Sequence, residues 1–331
     1  MAHAAATSVA GFIMARVGLG ISEAANTPAA IKTVAFWFPV RERALAVGFL
    51  NSGSNLGAIL TPLLVPPIAL AFGWQAAFII TGALGLFWVL AWLILYRNPV
   101  AALPTTVATQ TESTAGEAPE AGKVPFGTLL RDRRVWAIAG AKFISDTVWW
   151  FMLFWLPDFL HRVYKLDLAS SALPLVTVYS MATIGALSAG LLPAYLLRRG
   201  VSLNAARKLT MLLCAIVVTP VAAILQIDNY WYAMLLVGLV LAAHQGFSTN
   251  VFALVTDMFR PQTVGTVAGI GALFGNLGGL AMLEFTGWVL HRTGSYLPMF
   301  MICASAYILA LLLLHLLVPQ VRAYGAANAA A

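Results

Sequence analysis

Nine long apolar runs, at 9–31, 44–66, 75–96, 135–157, 171–196, 208–227, 231–255, 264–290 and 297–318, constrain this chain more than any other feature. A bilayer's hydrocarbon core, about 30 Å thick, is crossed by roughly 20 helical residues, and each run is of that order. Only 9% of the 331 residues are charged and 61% are apolar, against about 25% charged in an ordinary soluble domain. So little charge cannot coat a water-facing surface, which excludes a soluble globular protein. Period-two alternation with short turns, the mark of a membrane barrel, is absent. The backbone must then satisfy its own hydrogen bonds within helices. The expectation is an all-α membrane protein with nine transmembrane helices.

The 19 Lys and Arg exceed the 12 Asp and Glu, for a net charge of +7. Alternating the loops between two sides sends 13 of the 19 bases to one face, among them Arg41, Arg43, Arg131, Arg133, Arg134, Arg207, Lys208, Arg260 and Arg322. By the positive-inside rule that face is cytoplasmic and the C-terminus lies inside. The basic balance therefore reads as membrane orientation, not as a nucleic-acid footprint. Met1 falls outside with no signal-peptide pattern. The stretch 97–134 turns to Pro, Thr, Ala and Glu before a basic patch at 126–134, the composition of an interdomain linker. It divides a three-span part, 1–96, from a six-span part, 135–331. Cys214 and Cys303 both lie in apolar runs and give no disulfide or zinc framework.

A shift of the chain by 221 residues against itself aligns Gly48 with Gly269, Asn55 with Asn276, Leu56 with Leu277, Gly57 with Gly278 and Gly73 with Gly294 without a gap. The first three spans thus repeat as the last three, as in transporters built from parallel repeats. The same shift carries Glu23 onto His244, two titratable groups at equivalent places.

Charges at bilayer depth cost about 2.5 to 3.5 kcal/mol each to insert, which makes them the first candidates for function. Arg16 and Glu23 are seven apart, on one helical face roughly 10.5 Å along the axis. Arg16 can hold a carboxylate through its two-pronged guanidinium, and Glu23 can carry a proton; alternatively both fix helix packing. Lys142 and Asp146, four apart, can meet on one face and neutralise each other. His244 either hands over a proton or is a packed helix histidine. The cluster Trp149, Trp150, Phe151 and Trp155 can stack on a sugar ring, but its place in the outer half of the span favours an interfacial aromatic belt. Glu284 has no evident partner. The Gly-rich stretch 269–279 follows no strand and precedes no Gly-Lys-Ser, so neither a nucleotide nor another cofactor is expected.

The stretches Arg16-Val-Gly-Leu-Gly-Ile-Ser-Glu23, Trp37-Phe-Pro-Val-Arg-Glu-Arg43, Asn51-Ser-Gly-Ser-Asn-Leu-Gly57, Gly73-Trp-Gln-Ala-Ala-Phe78 and Ala141-Lys-Phe-Ile-Ser-Asp146 are together similar to the anion:cation symporters of the major facilitator superfamily, above all the hexuronate transporters. The stretch 190–208 and His244-Gln245 with Thr256-Asp257-Met258 extend the likeness over nearly the whole chain. The resemblance implies a major facilitator-type helical bundle in which this chain matches helices 4 to 12 of twelve. The first three helices, including an anion-binding arginine and a proton site on the first, have no counterpart. It implies uptake of a sugar acid such as galacturonate or glucuronate with a proton across the cell (inner) membrane. Lys142 and Asp146 then sit in a cavity-lining helix as substrate or gate residues, and Asn55, Tyr179, Gln245 and Asn276 are candidates to bind sugar hydroxyls, with helix-to-helix packing the alternative for the asparagines. Glu23, Asp146 and His244 are the candidates for proton coupling. Two rivals stay open: another organic anion, aldonate or aldarate, and a truncated chain with no transport of its own. A membrane enzyme would need a constellation such as His-Glu-x-x-His, which the sequence lacks. The oligomeric state is not legible.

Overall fold

The computed structural model describes residues 1–24, 40–95, 125–167 and 169–322. All regular structure among them is helical. The chain forms two compact units, Met1–Lys123 and Val124–Ala331. The first contains α1 (Val9–Glu23), α2 (Val40–Phe72) and α3 (Trp74–Leu95). The second contains a single-turn helix, Phe126–Leu130, then α4 (Arg133–Tyr164), α5 (Ala172–Ser188), α6 (Leu191–Arg198), α7 (Leu203–Val218), α8 (Tyr230–Met258), α9 (Pro261–Thr293) and α10 (Leu297–Leu317).

Seven helices among the described residues are long and apolar enough to cross a membrane: α3, α4, α5 with α6, α7 with its 3-10 extension, α8, α9 from Thr263, and α10. The runs at 9–31 and 44–66 coincide with α1 and α2 but are not among the seven. Helix α1 has 15 described residues, and the apolar portion of α2, Leu56–Phe72, is also short. Lys32, placed inside a span by the sequence, lies outside the described residues, as does most of the linker.

Local chemistry accounts for the helix ends. Ser8 accepts a hydrogen bond from the Gly11 N–H at the start of α1, Asp132 from Arg134 before α4, Ser202 from Ala205 before α7 and Asn229 from Trp231 before α8. Each cap satisfies one of the backbone donors that a helix N-terminus leaves open. The internal repeat reappears in these boundaries. The offset of 221 carries Ser8 to Asn229, the two capping residues, and Val9 to Tyr230, the two helix starts. It also carries the 33-residue α2 onto the 33-residue α9, end to end. Both of these helices stop at a glycine with positive φ, 83° at Gly73 and 67° at Gly294. This left-handed conformation ends a helix at no Cβ penalty.

In the second unit α4 packs along α9 and α10, while α8 packs along α5 and α7. Helices in lipid gain little from burying apolar surface against each other, so close backbone approach through small residues matters more. A Cβ built on Gly278 would fall 2.0 Å from the Phe143 carbonyl oxygen of α4, and one on Gly185 of α5 would fall 2.4 Å from the Ala242 Cα of α8. Because these neighbours are backbone, they cannot swing aside. Gly278→Ala is therefore expected to lower stability by at least about 2 kcal/mol through overpacking, read as a fall in the thermal midpoint of the purified protein. Gly287→Ala, whose Cβ would meet only Trp155 at 3.8 Å, is the control expected to melt as wild type.

The span made of α5 and α6 breaks at Ala189 and Gly190. Pro193 has no N–H to offer the Ala189 carbonyl four residues back. The Asn250 side-chain amide of α8 donates to that carbonyl instead, at 3.5 Å.

Contacts across the second unit gather its ends into two groups. At one end Arg134 Nη1 donates to the Met258 carbonyl, Arg207 pairs with Asp257 at 3.0 Å, and Lys208 Nζ donates to the carbonyls of Val318 and Pro319. At the other, Arg162 pairs with Asp158, the Tyr296 hydroxyl donates to Asp158, and the Tyr164 hydroxyl donates to the Ile227 carbonyl. Burial raises the pKa of Tyr296, and its hydrogen bond to Asp158 adds to the effect.

Candidate functional site

Five buried polar groups of the second unit, Lys142, Ser145, Asp146, His244 and Ser248, converge on one seam. Helix α4 contributes Lys142, the adjacent Ser145 and Asp146 three and four residues on, and Trp149 four and three beyond those, all on one stripe. Helix α8 contributes His244, Ser248 and Phe252 at intervals of four.

Lys142 and Asp146 form the expected pair. Lys142 Nζ donates to Asp146 Oδ1 at 2.9 Å and lies 2.8 Å from Oδ2 in the same ion pair. It also donates to Ser248 Oγ across the helix interface at 2.9 Å, and it sits 4.6 Å from the centre of the Phe252 ring. Ser145 Oγ adds a hydrogen bond to Asp146 Oδ1 at 3.2 Å. Lys142 and Asp146 are 4% and 9% exposed, so this is a desolvated ion pair whose hydrogen bonds among the described residues stay within α4 or reach α8. The opposite wall is glycine: a Cβ on Gly275 of α9 would lie 2.2 Å from Asp146 Oδ2. Only a bare backbone leaves room for that carboxylate.

His244 is buried one turn along α8. Its Nδ1 lies 2.8 Å from the Tyr307 hydroxyl of α10, and its ring stacks on Trp149 with centroids 5.3 Å apart and planes 18° from parallel. This corrects the belt assignment for Trp149, which belongs to the seam. Trp150 instead lies against Gly279 and stacks on Phe154, while Phe151 is buried against Tyr296 and Phe300. The helical periodicity that turns Trp149 inward turns its neighbour about 100° away.

The other expected residues are placed differently. Tyr179 is buried on α5, and its hydroxyl takes part in none of the hydrogen bonds of the seam. Gln245 and Asn276 each follow a seam residue, His244 and Gly275, by one position. They are therefore rotated off it: Gln245 is half-buried and Asn276 exposed. Glu284 is exposed on α9. In the first unit Arg16 and Glu23 are exposed on α1, with no hydrogen bond or ion pair among the described residues, and Glu23 is the last residue of that helix. Asn55 lies on α2, with its side chain outside the described residues.

Sequence reasoning missed Ser248, Phe252 and Tyr307. The four-residue spacing from His244 pointed to the first two. Tyr307 carried only the signal of a lone phenol within an apolar span. Arg207, assigned to a loop, makes a second, half-buried network by donating to Asp257 and to Asn250 Oδ1. Among the described residues no group of His, Cys, Asp and Glu could hold a metal ion.

The arrangement can present a buried cation with a resident carboxylate counterion, next to a hydroxyl, an imidazole and an indole face. That is the chemistry of holding an anion with polar and ring substituents. It contains no nucleophile and base aligned on a reacting bond.

Comparison with known proteins agrees with this reading. The signature of the Major Facilitator Superfamily matches residues 1–283. A hexuronate transporter of Escherichia coli (strain K12) is 32% identical over 309 residues, which covers 92% of this chain and 71% of that protein. A galacturonate transporter of Dickeya chrysanthemi is 34% identical over 219 residues, covering 64% of each. The fold matches the crystal structure of a bacterial homologue of the human lysosomal transporter Spinster, with a TM-score of 0.70 at 18% identity, over 98% of this chain and 81% of that one. With most of its length matched by the family signature and seven helices suited to a bilayer, the chain belongs to the Major Facilitator Superfamily and is a multi-pass membrane transporter, not an enzyme.

Proposed function

We propose that the chain carries a sugar acid, a hexuronate such as galacturonate or glucuronate, across the cell (inner) membrane together with a proton. The observation that carries the reading is Lys142: a cation held out of water whose contacts are a carboxylate and a hydroxyl. Such a site suits a ligand that brings its own carboxylate and hydroxyls. The names of the hexuronate and galacturonate transporters to which the chain is similar supply the substrate class.

In this reading the substrate carboxylate takes the place of Asp146 beside Lys142. The proton that enters with the substrate is assigned to Asp146, in place of the counter-charge it gives up. Substrate and proton thereby enter as a pair. His244, oriented by Tyr307 and covered by Trp149, is the second proton-handling group of the same seam, and the indole offers a face to a sugar ring. Arg16 and Glu23 serve as carboxylate anchor and proton carrier in the first unit, and Asn55, Tyr179, Gln245 and Asn276 as partners for hydroxyls. The nine spans read from the sequence stand for helices 4 to 12 of a twelve-helix bundle, in parts 1–96 and 135–331 with the linker 97–134 between them in the chain, and the C-terminus is cytoplasmic. Alternating access is the transport cycle this reading expects.

The test is uptake of radiolabelled galacturonate into proteoliposomes carrying the full chain under an imposed inward proton gradient. Accumulation that unlabelled glucuronate abolishes, and galactonate and glucarate leave standing, is the expected result. Competition by galactonate or glucarate alone overturns the hexuronate assignment in favour of an aldonate or aldarate. No uptake of any of these acids overturns transport by this chain alone.

A further inference from the structure

A cavity of about 510 Å³ lies apart from the seam, where the start of α4 meets the end of α10. Its volume falls within the range of small-ligand sites. Its polar wall is formed by Asp132, Arg133, Arg134 and Arg322, and its apolar wall includes Leu317 and Pro319. Asp132 is already engaged: it receives hydrogen bonds from Arg134 Nε and Nη2, the shortest at 2.6 Å. Burial pushes the Asp132 carboxyl up, but the Arg134 hydrogen bonds and the charges of Arg134 and Arg133 outweigh it and hold the group below the ordinary carboxylate range. One acid therefore offsets one of three guanidinium groups. The side chain of Arg133 makes no hydrogen bond among the described residues, and that of Arg322 donates only to Gln320 Oε1 at 3.0 Å. Two exposed cations thus flank the cavity with no ion pair of their own among the described residues.

The position matters as much as the charge. The cavity is at the membrane end that gathers Arg134, Arg207 and Lys208, and the helix leading into it, α10, exposes Leu309, Leu312 and Leu316. A polar hollow rimmed by guanidinium groups and continued by exposed leucines matches an amphiphile with an anionic head. Basic pockets at helix ends on the cytoplasmic side are where such head groups collect. We propose that this cavity binds the phosphate head group of an anionic phospholipid, with Arg133 and Arg322 as the phosphate contacts and Arg134 held in place by Asp132. Guanidinium suits this role because its planar fork matches phosphate oxygens.

The test is native mass spectrometry of the full chain in detergent, titrated separately with phosphatidylglycerol and phosphatidylcholine. Wild type is expected to retain one phosphatidylglycerol more firmly than any phosphatidylcholine. R133Q/R322Q should weaken that adduct by about thirtyfold, on the order of fivefold for each arginine lost. R133K/R322K, which keeps the charge, should restore most of it. D132N keeps a capping side chain while removing the one acid, and should tighten the adduct. Equal retention by wild type and R133Q/R322Q, the same loss in R133K/R322K, or weaker binding by D132N overturns the proposal. Displacement of the lipid by millimolar inorganic phosphate would reassign the site to a free phosphate.

Discussion

Asp146→Asn is expected to destabilise the purified protein by about 3 kcal/mol, because it leaves the Lys142 ammonium buried without its counter-charge. The substitution hardly changes shape, so the loss is one of charge. Lys142→Met should cost a similar amount by stranding the carboxylate, which sits against the backbone of Gly275 and has no second ion pair among the described residues. Lys142→Met/Asp146→Asn removes both charges and should be more stable than either single variant. Breaking a buried pair is worse than replacing it, and the excess of the double over the sum of the singles measures the coupling. Thermal melts of the four proteins in detergent check this. Additive losses would mean that water or lipid head groups neutralise each partner separately. If Lys142 also holds the substrate, the double variant will be folded and yet empty of uptake, which separates the structural from the transport role of the pair.

Glu23→Gln should abolish accumulation driven by a pH gradient while leaving exchange of substrate between the two sides. A monoanion carried with one proton accumulates up to about tenfold per unit of pH difference, since each unit is worth 1.36 kcal/mol of proton free energy. With no proton bound and released, the ratio falls to one. Counterflow of labelled against unlabelled galacturonate needs no net proton movement and should persist. Gln keeps the shape and hydrogen bonding of Glu, so a loss confined to accumulation identifies the proton. Persistent accumulation in Glu23→Gln would shift the coupling to Asp146 and His244 in the second unit, where Asp146→Asn and His244→Gln are the next variants. Loss of both accumulation and counterflow would instead make Glu23 part of the packing of the first unit.

The polar seam illustrates what kind of information each level holds. Lys142 and Asp146 were legible as a pair because four residues on a helix bring side chains together whatever surrounds them. Ser248, Phe252, Trp149 and Tyr307 were not, because their contacts with the pair and with His244 cross from one helix to another. Gln245 and Asn276 show the converse. Their residue type suggested sugar recognition, yet each is displaced by one position from the residue that faces the seam, and one position is a rotation of about 100°.

The amino-acid sequence by itself determined the solvent, the helical class and the repeat. Charge-poor runs of bilayer length admit little else, and the offset of 221 seen in a few glycines and asparagines returned as matching caps, helix starts and glycine stops in α1 with α8 and α2 with α9. These features are set by local hydrogen bonding and backbone conformation, which the sequence encodes position by position. Only the tertiary structure decided which helix faces meet. In a bilayer the faces turned to lipid are as apolar as those turned to protein, so hydrophobic patterning does not distinguish them. The bare backbone of Gly275 against Asp146, the approach of Gly278 to Phe143 and the hydroxyl of Tyr307 against His244 make that choice, and each depends on residues far apart in the chain.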